Sequence, residues 1–254
     1  MMKDFAENFD LNDYEFNSKS DIGIYIIHGF SSTTHEVKEL AEFLGSCGFH
    51  TRANNLPGHG TDIDDCNNTI YAEWLEHVER DFADMISQNK KIYVIGASMG
   101  GALALHLASL FPINGIVTCA AVLHFKDHFT LRWINPITKF FYSKVSKRKR
   151  FDKNIRNDLK FNGYNQYPLV ALNEYFKMAK LIKRNLNKIS APILILSSKK
   201  DLTAPKINVS IINDGVKSNI KKVKEYDYPS HAMLMPGIDQ KKIFKDILKF
   251  INSN

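Results

Sequence analysis

The chain has 254 residues, 44% of them hydrophobic and 24% charged, the balance of a globular rather than a disordered protein, and long enough to bury a large core. No apolar run approaches the roughly 20 residues that span a bilayer, and the three cysteines (Cys47, Cys66, Cys119), odd in number and without metal-ligand spacing, read as reduced thiols of a cytoplasmic protein. The net charge of +7 is concentrated: residues 122–190 hold 16 Lys/Arg against 4 Asp/Glu, and the remaining chain 18 against 23, so a strongly basic segment is set into a mildly acidic scaffold.

In chain order, the first 17 residues carry five carboxylates and no apolar stretch, which does not read as a secretory signal. IGIYII (22–27) is the first expected strand. The helix TTHEVKELAEFLGSCG follows, opening on a capping-box pattern at Thr33–Glu36 with Gly45 and Gly48 near its end. HTRAN (50–54) is the next strand, and the Pro-Gly and His-Gly pairs of NNLPGHGTD mark a turn after it. A helix over 71–88 places Trp74, Val78, Phe82 and Ile86 on one face at four-residue spacing. KIYVIG (91–96) and NGIVTCA (114–120) are apolar runs of the kind parallel strands show when both faces are covered. Strands then lapse between about 122 and 190, where only helical pieces are expected, and resume with APILILS (191–197) and KKVKEYD (221–227) before an amphipathic last helix. Strands alternating with helices predict an α/β fold with a mostly parallel sheet.

The chemistry-bearing residues fall at the ends of these strands. Gly96-Ala97-Ser98-Met99-Gly100 joins a buried strand to an alanine-rich helix, the setting in which a G-x-S-x-G serine is exposed on a tight turn as a nucleophile. The helix start beside it favours developing negative charge. The first strand runs directly into His28-Gly29-Phe30, where the Phe30 N–H, with that of Met99, would form a two-donor oxyanion hole. His28 itself reads as a brace for that loop. A serine needs a base, and the base a partner that fixes its tautomer. His231 is the histidine beyond the last strand, in the loop YDYPSHAML, and Asp201 follows the strand ending near Ser197. Asp227 is the competing acid, but it adjoins the last strand only four residues before the histidine. His59 reads as a turn residue near the site.

Taken together, His28-Gly29-Phe30, Pro57-Gly58-His59-Gly60, Gly96-Ala97-Ser98-Met99-Gly100-Gly101, Asp201 and Ser230-His231 resemble the α/β-hydrolase superfamily. Within it the chain is similar to the bacterial carboxylesterase and monoacylglycerol lipase group. The lapse of strands reads 122–190 as a helical insertion after the sixth strand, set into a core of residues 1–121 and 191–254, and in the resemblance this stretch corresponds to the family's variable cap. The resemblance implies Ser98, Asp201 and His231 as catalytic triad and the Phe30 and Met99 amides as oxyanion donors. The implied activity is hydrolysis of short- to medium-chain acyl esters or monoacylglycerols through an acyl-enzyme, without metal or organic cofactor. A thioesterase or a carbon–carbon bond hydrolase would use the same triad, whereas a hydrolase-fold ligand receptor would need none of it. Two departures stand out: the 54–60 loop reads N-N-L-P-G-H-G instead of the commoner D-x-x-G-x-G-x-S, and the cap is unusually basic. Its aromatic and apolar residues from Phe125 to Tyr142, edged by the basic run Lys144–Lys153, read either as a solvated charged loop with aromatics packed onto the core or as an entrance for an acyl chain arriving from an anionic membrane surface or acyl carrier. No nucleic-acid module accompanies the charge.

Overall fold

The buried runs become the middle of one sheet in the computed structural model, which describes residues 11–126, 143–146, 163–164, 166–228 and 230–254. Nine strands occur among them: β1 (Tyr14–Phe16), β2 (Ile22–Ile27), β3 (His50–Ala53), β4 (Lys91–Ala97), β5 (Gly115–Cys119), β6 (Lys144–Ser146), β7 (Gln166–Pro168), β8 (Ile193–Ser198) and β9 (Lys221–Tyr226). Seven form the main sheet in the order β1-β3-β2-β4-β5-β8-β9. All its pairings are parallel except that of β1 with β3. The helices are α1 (Lys38–Ser46), α2 (Ile63–Asn68), α3 (Tyr71–Gln88), α4 (Met99–Leu110), α5 (Leu169–Asn185), α6 (Ile207–Gly215) and α7 (Gln240–Asn252). None of the described helices is long and apolar enough to cross a membrane.

The pleat sorts each strand's side chains onto two faces. Tyr25 and Ile27 of β2 pack with Trp74 and Phe82 of α3, Leu103 of α4 and Tyr175 of α5. Ile24 and Ile26 face the other way, onto a layer built from Leu40 and Leu44 of α1 and Ile247 and Phe250 of α7. With apolar residues covered on both sides, the central strands can be hydrophobic throughout. On the edge, β9 leaves Lys221 and Lys222 exposed, charges that discourage pairing with another chain. Register aligns the strand ends: Ile27 lies opposite Gly96, Ala97 opposite Cys119, Cys119 opposite Leu196 and Ser198 opposite Tyr226. The loops that leave these ends meet above one edge of the sheet.

The structure departs from the sequence expectation in several places. Among the described residues the basic segment follows the fifth strand, β5, and not a sixth, because the chain before it supplies only β1 to β5. That segment also holds two short antiparallel strands, β6 and β7, where none was expected, because three-residue strands leave no readable alternation. Its helix α5 buries Ala171, Tyr175, Met178 and Ile182 in the same core as α3 and α4, so this part is packed into the sheet's helical layer. The aromatic run Phe129–Tyr142 and the basic residues Lys147–Lys153 lie outside the described residues. Lastly, Thr33 caps only a single 3-10 turn, Thr34–Glu36, by accepting the His35 N–H, and α1 begins after it. The Glu36 carboxylate is used elsewhere.

Candidate active site

Ser98 lies between the last residue of β4 and the first of α4, with φ +51° and ψ −111°. A non-glycine residue rarely adopts such a conformation, and it persists only where the surroundings enforce it. Here the surroundings are strong. The Ser98 N–H continues the sheet ladder by donating to the Cys119 carbonyl at 2.8 Å, and its own carbonyl accepts the Gly101 and Ala102 N–H groups of the first helical turn. Every residue of α4 from Met99 to Ala108 is buried, so the helix cannot shift to relax the turn. Gly100 is required at the same junction, because a Cβ there would collide with the Ile27 carbonyl at the end of β2.

The loop after β2 is braced by its histidine. His28 is fully buried. Its Nε2 accepts the Leu56 N–H at 3.0 Å, which leaves Nδ1–H to donate to the Gly29 carbonyl at 2.9 Å. Burial, followed by the neighbouring His59, holds it neutral by pushing its pKa down to about 3. The Gly29 carbonyl also accepts the Ser32 N–H at 3.3 Å, and the Ser31 carbonyl accepts the N–H of Tyr164 from the basic segment at 3.1 Å. Phe30 rests its ring on Tyr175 of α5 (5.7 Å between centroids) and on Trp74 (6.2 Å). Among the described residues, the Phe30 and Met99 amides have no hydrogen-bond acceptor. His59 stays in its turn, where Nδ1 bonds the Pro57 carbonyl at 3.0 Å and the ring meets Phe30 and Trp74 edge-on.

The loops after β8 and β9 bring Asp201 and His231 to the serine. His231 Nε2 is 2.8 Å from Ser98 Oγ, and His231 Nδ1 is 2.8 Å from Asp201 Oδ2. The other Asp201 oxygen accepts the Thr203 and Ala204 N–H groups at 2.7 and 2.8 Å. With its side chain only 3% exposed, Asp201 would be pushed up by burial. The His231 hydrogen bond and charge and the two amides outweigh this, so it is held below the ordinary carboxylate range. Burial works against a charge on His231, but the bond and charge of Asp201, and then the charge of Glu36, raise the imidazole overall. Nδ1–H therefore donates to Asp201, and Nε2 is left to accept the serine proton. Asp227 is elsewhere, exposed and paired with Lys199 at 2.7 Å.

Ser98, Asp201 and His231 thus form one hydrogen-bonded chain, with Phe30 and Met99 in the adjoining loop and helix start. Two contributors were not read from the sequence in the roles they take. Asn208 of α6, 3% exposed, accepts the Leu123 and His124 N–H groups at 2.8 and 2.7 Å and donates to the His124 and Pro205 carbonyls, which pins the root of the basic segment. Glu36 matches a capping box in sequence, yet it accepts the Gly29 N–H at 2.7 Å.

Residues 18–236 match the Hydrolase_4 family, described as serine aminopeptidase, S33. A thermostable monoacylglycerol lipase of Bacillus sp. (strain H-257) is 28% identical over 235 residues, which cover 90% of each chain. A carboxylesterase of Bacillus subtilis (strain 168) is 22% identical over 236 residues, 91% of this chain and 92% of its own. A solved structure belonging to LipS and LipT, two metagenome-derived lipolytic enzymes, matches with a TM-score of 0.86 and 22% identity, covering 96% of this chain and 98% of that one. At that identity the likeness speaks for the fold.

Proposed function

The chain belongs to the Hydrolase_4 family of serine hydrolases, and from that membership we propose that it cleaves carboxylic esters of short- to medium-chain acids, or monoacylglycerols, through an acyl-enzyme. Ser98 Oγ attacks the ester carbonyl carbon as His231 Nε2 takes its proton. Asp201 holds the imidazole in the tautomer that can do so and stabilises the imidazolium that results. The carbonyl oxygen becomes an oxyanion and is received by the Phe30 and Met99 amides, donors that typically contribute about 3–4 kcal/mol each in the transition state. The tetrahedral intermediate collapses with cleavage of the ester C–O bond, and the leaving alkoxide takes the proton from His231. Water then attacks the acyl carbon, gives a proton to His231, and Ser98 leaves with that proton restored. No step calls for a metal or an organic cofactor.

One observation carries this reading: two 2.8 Å hydrogen bonds link Asp201, His231 and Ser98 at a serine whose backbone is held at φ +51°. A site for binding alone has no use for that chain. The relatives named as monoacylglycerol lipase and carboxylesterase support ester substrates. The basic segment, with 16 Lys/Arg against 4 Asp/Glu, suits delivery of the acyl chain from an anionic membrane surface or acyl carrier in the cytoplasm.

The test is turnover of p-nitrophenyl esters from acetyl to palmitoyl by the wild type and by S98A. We expect hydrolysis with a chain-length optimum and its loss by a factor of at least about 10³ in the variant. Folded wild-type protein that hydrolyses none of these esters would refute the proposal.

A further inference from the structure

A second buried carboxylate adjoins the site and has no part in the acyl-transfer scheme. Glu36 ends the 3-10 turn Thr34–Glu36 and is 7% exposed. Its Oε2 accepts the Gly29 N–H at 2.7 Å. A Cβ built on Gly29 would lie 3.1 Å from that same oxygen and 3.2 Å from the Ser98 Cβ. The Gly29 backbone is therefore packed between the Glu36 carboxylate and the serine.

We infer that Glu36 is a positioning residue: by holding the Gly29 amide it fixes the Gly29–Phe30 peptide, and with it the Phe30 N–H, beside Ser98. The inference rests on the ester-hydrolase reading for the reaction it serves. Gly29, without a Cβ, has two soft torsions that would otherwise let this peptide rotate. On the far side, its carbonyl is held by His28 Nδ1–H and the Ser32 N–H. A trans peptide points its N–H opposite to its C=O, so those two bonds aim the Phe30 N–H away from His28 and Ser32. They act on one torsion of Gly29, and the Glu36 bond acts on the other. An ionised acceptor makes that second bond roughly twice as strong as a neutral one.

The carboxylate has an electrostatic consequence as well. The groups facing His231 are Asp201 from the loop after β8, Ser98 from the elbow and Glu36 from the 3-10 turn. Glu36 also faces Cys119 of β5, whose thiol is kept protonated by burial and then by that charge. The negative charge favours the imidazolium, so its removal makes the His231 proton easier to lose.

The experiment compares the full-length wild type, E36A and E36Q for kcat and KM with p-nitrophenyl butyrate, for the pH profile of kcat/KM, and for hydrogen exchange of the Gly29 amide by NMR. In E36A we expect kcat to fall about 10- to 100-fold with KM within about twofold, since a misplaced donor costs somewhat less than a deleted one. E36Q keeps an acceptor for Gly29 and should recover kcat to within about threefold, with its acidic limb moved to lower pH. Folded E36A with wild-type kcat would overturn the inference. If E36A does not fold, E36D decides: its carboxylate, one methylene short of the Gly29 N–H, should lower kcat about 10-fold with KM within about twofold and speed Gly29 exchange, and wild-type kcat and exchange would overturn the inference. If the wild type hydrolyses no ester, the ester reading falls on its own, and Gly29 exchange decides: faster exchange in E36A than in E36Q supports the pin, and equal exchange overturns it.

Discussion

Replacing Asp201 by asparagine tests the proposed division of labour with almost no change in shape. One Asp201 oxygen accepts two backbone N–H groups, from Thr203 and Ala204, and the other faces His231 Nδ1. An asparagine must keep its carbonyl oxygen toward the two amides, because turning the NH2 that way would set donors against donors. Its NH2 then faces His231 and donates to Nδ1. The imidazole proton is driven to Nε2, which donates to Ser98 and can no longer take the serine proton. A triad histidine held in the wrong tautomer costs about 10⁴ in rate, or about 5 kcal/mol of transition-state stabilisation. D227N should cost at most about twofold, since that carboxylate is exposed and paired with Lys199. Steady-state kcat/KM on a p-nitrophenyl ester, with circular dichroism to verify the fold, reads both. D201N with more than about a tenth of wild-type activity, or D227N with a loss like that expected of D201N, would refute the tautomer argument.

Other consequences follow from the buried polar groups around the site. His28 has a folded pKa of about 3 against an ordinary 6.5. As pH falls below the ordinary value, the unfolded chain therefore takes a proton that the folded one refuses, and stability drops by up to about 1.4 kcal/mol per pH unit. H28N, with a donor and an acceptor but no titration, should flatten that slope in denaturant melts at pH 7, 6 and 5; equal slopes would sink the idea. N208A leaves the buried Leu123 amide and its His124 neighbour without their acceptor and should cost about 2–3 kcal/mol. A melting temperature unchanged from the wild type would show that the root of the basic segment is held by something else.

What could be read from the sequence, and what could not, follows from the range of the interactions involved. β2, β4, β5 and β8 announce themselves because strands covered on both faces read as near-continuous apolar runs. Ser98 shows in sequence because a tight elbow excludes side chains nearby, which puts small residues at Gly96, Ala97, Gly100 and Gly101. Asp201 and His231 could be placed because each sits in a loop just after a legible strand, and Asp227 lost to Asp201 on that same placement. β1 escaped notice because it has three residues and pairs only with β3. β6 and β7 escaped for the same reason. The T-x-x-E signature at Thr33–Glu36 was read as a local bond, but the Gly29 N–H, seven residues away in sequence, competes for the same carboxylate, and only the folded loop brings it within reach.

Ser98 also explains why the core around it is built as it is. A backbone at φ +51° carries a strain of order 1–3 kcal/mol, which the chain would shed by letting α4 rotate or β4 fray. Both routes are closed. β4 is central and paired on both sides, with β2 and with β5. α4 is buried from Met99 to Ala108 and touches β2, β4, β5, α3 and α5, so any movement would uncover apolar surface on several elements together. The basic segment contributes to this constraint through α5, whose Tyr175 packs on Phe30 and whose hydroxyl donates to the Val122 carbonyl at 2.8 Å. The part of the chain that departs furthest from the scaffold in charge therefore also helps to hold the loop that carries Phe30, whose amide is the proposed oxyanion donor.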